Sequence, residues 1–311
     1  MKVVAKILKI SLIIILILFL LSFFQAYHPL FDSFSHFRYH ILIAIILLLG
    51  LLVVFDKKRV IFGILLLISI IYLYIFPFTY KAIYISKGGS GIHFSHMQFN
   101  LNFRNNKLDR VLELLSSKKP DIVTLQEVTN AHRAKLESLK KDNLYPYQRY
   151  CDFYPIVGAV AILSRYPISN TTCAKGRGLL STTLDINSTK VNVVAIHLHW
   201  PYPFSQYEQV NELKPILRSL KDAQYSLISG DFNAAPWSNI VKKIAKESNT
   251  DIVGGLRWTI SVDMQLYSIP FSIKLPIDQL LLHGINIYSI EVLEHFGSDH
   301  YPVFSRLYIA K

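Results

Sequence analysis

The chain has 311 residues, 51% of them hydrophobic, with 33 Lys and Arg against 21 Asp and Glu. That length holds one large domain or two ordinary ones, and two lone cysteines exclude a cysteine-built zinc site. The averages hide a division: residues 1–80 hold nine of the 54 charged side chains and residues 81–311 hold 45, so two physically different parts follow one another.

The first part contains three apolar runs, Ile10–Phe24, about Ile41–Phe55 and Val60–Phe78, none interrupted by a charge. A helix rising ~1.5 Å per residue needs roughly 20 residues to cross the hydrocarbon of a bilayer. With their amphipathic flanks the runs read as transmembrane helices over about 7–25, 38–55 and 60–78. A signal peptide is the alternative for the first run, since Lys2, Lys6 and Lys9 precede it. No clean small-residue cleavage site follows, however, and two further spans come next. Buried helices of a soluble protein would need polar faces that these runs lack.

Lys2, Lys6 and Lys9 lie before the first span and Lys57, Lys58 and Arg59 lie between the second and third, whereas the first loop carries Arg38 alone. The positive-inside rule puts the N-terminus in the cytoplasm of a multi-pass inner or plasma membrane protein. Three crossings then leave the C-terminal domain extracytoplasmic, on the periplasmic side. Tyr72, Tyr74, Phe76, Phe78 and Tyr80 form an aromatic belt at the end of the third span. The expected organisation is a membrane anchor over 1–80, a linker over 81–94 containing Gly88-Gly89-Ser90-Gly91, and a domain over 95–311.

Residues 81–311 carry 26 Lys and Arg against 19 Asp and Glu, a net of +7. Such a balance suits a polyanion, whether nucleic acid, anionic lipid or phosphate ester, although a generically basic surface has the same composition. Cys151 and Cys173 can pair in an oxidising compartment or remain free, and their spacing does not decide.

Strand-like segments recur at His93–Leu101, Asp121–Gln126, Ala159–Ser164, Val191–His197, Tyr225–Ser229, Ile277–Leu282 and Val303–Tyr308. Helical candidates lie between them at Lys107–Ser117, Ala131–Lys141, Ser205–Leu220 and Asn239–Glu247. In the first, Leu108, Val111, Leu112 and Leu115 recur at the i, i+3, i+4, i+7 spacing of one helical face. The mixture argues an α/β or α+β fold, with two sheets flanked by helices as one solution.

The polar residues at the strand ends say more. Asn100 closes one strand, Gln126-Glu127 another and His197 a third. Gly230-Asp231-Phe232-Asn233 follows a fourth, Asp278 lies in a fifth and Gly297-Ser298-Asp299-His300 precedes the last. Each alone has a plain reading as a turn former, helix cap or half-buried histidine. Six in succession, each beside an apolar strand, fit loops that open into one crevice.

These elements resemble the endonuclease/exonuclease/phosphatase superfamily, which includes pancreatic-type deoxyribonucleases, abasic-site endonucleases, neutral sphingomyelinases and inositol-polyphosphate phosphatases. The matching residues are Asn100, Pro120-Asp121 through Leu125-Gln126-Glu127, Gly158 through Ser164-Arg165, His197, Gly230-Asp231-Phe232-Asn233, Ile277-Asp278 and Ser298-Asp299-His300. The continuation Ala234-Ala235-Pro236-Trp237-Ser238 is similar to a bacterial subgroup with N-terminal membrane spans.

The resemblance implies a four-layer α/β sandwich of two packed mixed sheets. It implies Mg²⁺ or Mn²⁺ on Glu127, Asn100 and Asp299, whose hard oxygens suit such ions. Asp231 then orients or deprotonates water, Asn233 donates to the developing oxyanion, His300 backed by Asp278 meets the phosphate, and His197, rather than neighbouring His199, protonates the leaving oxygen. Asn102, Asn105, Arg165 and Ser298 take supporting roles; Asn102 stands where the abasic-site branch carries an acid. The substrate expected is a phosphodiester of nucleic acid, with a phospholipid or sphingolipid head group as the alternative. No protein partner is implied, and a catalytically silent scaffold is the competing reading. Loops near Tyr145–Val157 and Gly254–Leu275, rich in aromatics, are where specificity is expected.

Overall fold

The apolar runs fold as helices, with one addition. In order they are α1 (Lys2–Leu21), a short α2 (Pro29–His36), α3 (Arg38–Phe55) and α4 (Arg59–Ile75). The computed structural model describes residues 2–154, 157–266 and 269–310. Three helical stretches, Lys2–Phe24, Arg38–Phe55 and Arg59–Phe78, are long and apolar enough to cross a membrane. They pack through Leu12, Ile45, Leu49 and Leu52. The sequence reading missed α2: His28 caps it through Nδ1, which accepts from the Leu30 amide at 3.1 Å, and Pro29 occupies the first turn, where its missing N–H costs nothing.

The remaining elements are β1 (Gly91–Asn100), α5 (Leu108–Lys118), β2 (Ile122–Val128), α6 (Asn130–Leu136), α7 (Ser138–Lys141), β3 (Tyr147–Tyr154), β4 (Gly158–Ser164), β5 (Ile168–Ala174), β6 (Leu179–Ile186) and β7 (Thr189–His197). After these come α8 (Gln206–Arg218), β8 (Ser226–Asp231), α9 (Asn239–Ser248), β9 (Asp251–Ile252), β10 (Ile260–Leu266), β11 (Ile269–Leu275), β12 (Asp278–His283), β13 (Asn286–Val292) and β14 (Val303–Ala310).

Two six-stranded sheets form, in the orders β13-β14-β1-β2-β4-β3 and β5-β6-β7-β8-β12-β9. Both are mixed, because β1–β2 and β7–β8 are parallel pairs joined through α5 and α8 respectively, while their neighbours run antiparallel. Ile122, Val160, Ile162, Leu180, Val193, Ala195, Leu227, Leu280 and Leu307 fill the space between the sheets. Outside, Val111, Leu115 and Leu136 of α5 and α6 cover the first sheet, and Val210, Leu213, Ile240 and Ile244 of α8 and α9 cover the second. Helix, sheet, sheet and helix make the expected four layers. Cys151 of β3 and Cys173 of β5 are joined, tying the outer strand of one sheet to the outer strand of the other.

Two expectations change. The segment expected to be a linker is held down: Ile83 exchanges backbone hydrogen bonds with Ile252 and Gly254, the Ser86 amide donates to Ile287 at 2.8 Å, and β1 starts at Gly91. The two stretches expected as loops contain strands, β3 in the first and the β10–β11 hairpin in the second. In the first stretch, positions 155 and 156 and the side chain of Tyr154 lie outside the described residues.

The apolar helices dock on the sandwich through specific polar contacts. Asp32 of α2, 1% exposed, accepts from the Asn239 amide at 2.8 Å, the Ile240 amide at 3.1 Å, the Tyr207 hydroxyl at 2.9 Å and Ser35 Oγ at 3.0 Å. It therefore supplies negative charge to the N-terminus of α9, where unpaired amides and the helix dipole favour it. Trp237 Nε1 donates to the Ser35 carbonyl at 2.6 Å, Gln25 Nε2 donates to the Trp237 carbonyl at 3.0 Å, and the Trp237 ring meets Phe76 edge-on at 4.7 Å. Lys9 and Asp56 pair at 2.5 Å at the opposite end of the helices.

Candidate active site

A polar seam runs between the sheets and widens into the site. Alternation along β1 turns His96, Gln98 and Asn100 toward the second sheet. His96 Nε2 lies 3.0 Å from both Thr124 Oγ1 and Ser229 Oγ. One step along, Gln98 Nε2 donates to Gln126 Oε1 at 2.8 Å and to Asp278 Oδ1 at 2.6 Å. At the rim Asn100 Nδ2 donates to Glu127 Oε1 and Asp231 Oδ2, both at 3.0 Å.

Register explains the convergence. His197 and Asp278 are both paired opposite Asp231, one on each side of β8. Gly230 is required beside them: at φ +150°, an added Cβ would lie 1.9 Å from the Ile196 carbonyl oxygen. Glu127 is set by a register shift between Leu125 and Val128 and adopts φ +56°, and Asn102 and Asn233 are also left-handed. For a non-glycine residue this costs about 1–2 kcal/mol, and such strain gathers at functional sites.

Two imidazoles flank one carboxylate oxygen. His197 Nε2 and His300 Nε2 each stand 3.6 Å from Asp231 Oδ2, and His197 Nε2 is 3.8 Å from Glu127 Oε1. His300 Nδ1 faces Asp278 Oδ2 at 2.9 Å, which leaves Nε2 directed at Asp231. Burial pushes the Asp231 carboxyl up to about 7, with His300 pulling against it and Asp278 adding to it. Burial acts to lower His300, but the carboxylates of Asp278 and Asp231 outweigh it and raise the ring to about 10. Burial, with His300 and His199 beyond it, lowers His197 to about 3, so this ring is neutral. One charged and one neutral imidazole therefore share a buried carboxylate, an arrangement suited to moving a proton in each direction.

Of the residues singled out in the sequence, Asn100, Glu127, His197, Asp231, Asp278 and His300 meet directly. Asp299 is exposed at their edge, tied to Asn102 Nδ2 at 2.7 Å. Asn233 lies beside Asp231, donating Nδ2 to the Leu198 carbonyl at 2.8 Å, while its buried Oδ1 has no partner among the described residues. Ser298 Oγ donates to the Asn100 carbonyl at 2.8 Å and accepts from the His300 amide at 3.0 Å, so it fixes the His300 turn. Asn105 ties this turn to the loop after β1 by donating to the Phe296 carbonyl at 3.2 Å. Arg165 is not brought to the site. It pairs with Asp121 at 3.2 Å beside Ile122, at the end of β2 opposite Glu127. His199 turns toward Ser205 Oγ at 3.0 Å and leaves the place beside Asp231 to His197.

The sequence reading did not single out Gln98, Gln206 or Gln209. Gln206 Nε2 reaches the carbonyls of His199 and Phe232 at 2.8 and 3.0 Å, and Gln209 Nε2 reaches that of His197 at 2.9 Å. Two glutamines at i, i+3 on the same side of α8 as Val210 and Leu213 are a signal that could have been read, as could Gln98 between His96 and Asn100.

The donors also suit a hard cation. Ligand atoms of Glu127, His197 and Asp231 lie within 4.8 Å of one another, and a half-turn of the Asn100 amide would add its oxygen to the two carboxylates it now contacts. The cleft beside this group, about 240 Å³, is walled by Phe103, Phe153, Trp200 and Phe204.

Two packed sheets whose strand ends gather carboxylates, amides and a carboxylate-backed imidazole in one cleft define a phosphoester-cleaving hydrolase. The chain belongs to the Endonuclease/Exonuclease/phosphatase family, whose model matches residues 97–300. Its members hydrolyse phosphoester bonds, and the chain is an enzyme of that kind. No curated protein matches it in sequence. Among solved structures, Bacteroides vulgatus endonuclease/exonuclease/phosphatase superposes with a TM-score of 0.56 at 15% identity, covering 70% of this chain and 99% of its own. D. rerio TDP2 complexed with single strand DNA product gives 0.55 at 18% identity, with 69% and 98% covered. The protein from Beutenbergia cavernae gives 0.53 at 20% identity, with 70% and 72% covered. These likenesses share the fold.

Proposed function

We propose that the protein is a membrane-anchored, divalent-metal-dependent phosphodiesterase, with residues 1–80 as anchor and the sandwich after them as catalytic domain. The observation that carries the reading is the pair of imidazoles, each 3.6 Å from one buried oxygen of Asp231. Asp231 accepts the proton of the attacking water, and its raised affinity for that proton matches the task. His300, kept charged by Asp278, neutralises the phosphoryl oxygens, and the remaining N–H of Asn233 donates to the same group. His197, neutral in the resting site, takes that proton from Asp231 at 3.6 Å and passes it to the leaving oxygen. Glu127 and Asn100, which touch at 3.0 Å, with Asp299 at their edge, would hold Mg²⁺ or Mn²⁺, which supplies charge to the phosphate when bound.

The three apolar helices support the anchor. Their short first loop meets the sandwich while Lys9 and Asp56 pair at the far end, as an odd number of crossings requires. The joined Cys151 and Cys173 suit an oxidising, extracytoplasmic location, with the N-terminus in the cytoplasm. The fold is shared with a DNA-bound structure, so single-stranded DNA is assayed beside the soluble diester. Full-length protein in nanodiscs, assayed with Mg²⁺ and with Mn²⁺, is expected to hydrolyse bis-p-nitrophenyl phosphate. Glu127→Gln, Asp231→Asn and His300→Ala are each expected to lose at least ~10²-fold in rate. Near-normal turnover by Asp231→Asn would overturn the assignment.

A further inference from the structure

The segment between β7 and α8 leaves three large aromatics in solvent: Trp200 is 46% exposed, Tyr202 45% and Phe204 61%. Exposed aromatics grouped within five residues are unusual unless something covers them. Trp200 and Phe204 form the outer wall of the cleft whose floor holds Glu127, His197 and Asn233. Tyr202 faces the other way: its ring meets His28 at 5.5 Å, and its carbonyl oxygen lies 3.4 Å from Ser33 Oγ. His28 ends the loop that leaves the first apolar helix and caps α2, and exposed Phe24 and Tyr27 precede it on that loop. The aromatic surface is thus continuous from the end of that helix to the mouth of the site. Trp and Tyr with one wet and one apolar side gather at this level of a bilayer. Lys242, Lys243 and Lys246 line a recess together with Tyr27 and His28, a charge pattern that suits anionic head groups at the same level. Among the described residues that line the catalytic cleft none is a lysine or arginine, the cations a nucleic-acid track would use, and Lys175 stands in the adjoining recess beyond Phe153.

We infer that the substrate is the phosphodiester of a bilayer lipid, presented to the cleft across the wall of Trp200 and Phe204 while the docked anchor holds the site at the membrane surface. The inference rests on the phosphodiesterase reading. Water adds to phosphorus and one P–O ester bond breaks. The departing alcohol oxygen takes a proton, so that a phosphomonoester and an alcohol leave, one of them staying in the bilayer.

The test uses the full chain in proteoliposomes of phosphatidylcholine, phosphatidylglycerol or sphingomyelin with Mg²⁺, with bis-p-nitrophenyl phosphate and single-stranded DNA as soluble alternatives. Release of phosphorylated or free head group from at least one lipid is expected. The Trp200→Ser/Phe204→Ser variant is expected to lower the ratio of lipid to bis-p-nitrophenyl phosphate turnover at least ten-fold. Brominated phosphatidylcholine is expected to quench a part of the tryptophan emission that Trp200→Phe removes. Turnover of the soluble substrates with every lipid intact would overturn the inference and leave the phosphodiesterase reading standing. An unchanged ratio in the double variant would also overturn it, and no turnover of any substrate would remove both.

Discussion

Replacing Asp32 by Ala tests whether the apolar helices and the sandwich fold as one unit. The carboxylate is 1% exposed and receives two backbone amides of α9, the Tyr207 hydroxyl and Ser35 Oγ. Losing an N-terminal cap with its charge–dipole attraction costs about 1–2 kcal/mol, softened here because Ser238 also caps the Val241 amide. A half-buried Tyr207 hydroxyl left without its ionised acceptor adds about 1–2 kcal/mol, since Asn239 Nδ2, 3.1 Å away, donates to its oxygen and cannot accept its proton. The sum is about 3 kcal/mol, or roughly a hundred-fold in the opening of this region. Hydrogen–deuterium exchange of the full chain in nanodiscs reads it directly. Peptides over 237–248 are expected to exchange roughly a hundred-fold faster in Asp32→Ala, while those of β6 and β7 stay as in the parent. Asp32→Asn, which keeps one acceptor oxygen, is expected to fall between. Unchanged exchange over 237–248 in Asp32→Ala would refute the reasoning.

Four other outcomes follow from the same structure. In the proposed roles Asp231 must be ionised to accept a proton and His300 protonated to meet phosphate, so kcat/KM is expected to rise with pH through about 7 and fall as pH approaches 10; a flat profile across pH 5–8 would count against the roles. Gln98→Leu, which frees Asp278 Oδ1 of its 2.6 Å contact, is expected to lower kcat by ~10–100-fold with KM little changed, because it acts through the Asp278–His300 pair. His96 is buried and held neutral, lowered to about 3 by burial, so its contribution to stability is complete above pH 6.5 and is lost as pH falls toward 3. Denaturation of parent and His96→Asn at pH 6 and pH 4 is therefore expected to show the parent losing up to about 1.4 kcal/mol per pH unit more than the variant. Cys151→Ser opens a cross-link spanning 22 residues, and a loss of about 3 kcal/mol is expected by chemical denaturation under oxidising conditions.

The architecture was legible where periodicity and strand-end chemistry agree. Asn100, Glu127, His197, Asp231, Asp278 and His300 each follow or lie in an apolar run that had to be a strand, and register did the rest. Arg165 misled because it also follows a strand; only pairing of Ser164 with Ile122 reveals that it leaves the sheet at the wrong end. The glutamines were silent because an amide inside an apolar pattern has no spacing of its own; Gln98, Gln206 and Gln209 gain meaning from the carbonyl or carboxylate each faces. The β10–β11 hairpin lies in a stretch whose aromatics suggest a specificity loop, yet Ile260–Leu266 alternates apolar and polar residues as a strand does. Nothing local foretold that a residue between two apolar helices would cap a helix 207 positions further on.

That last contact has a practical side. Trp237 and the start of α9 come within a few residues of Asp231 and Asn233, on one continuous loop, and their covering is supplied by Ser35, Gln25, Asp32 and Phe76. Cutting the chain after the apolar helices to obtain a soluble fragment would strip that covering. A large indole and two amides would then face water next to the catalytic turn. Low activity or clumping of such a fragment would describe the cut rather than the enzyme, and the full chain is the preparation in which rates have meaning.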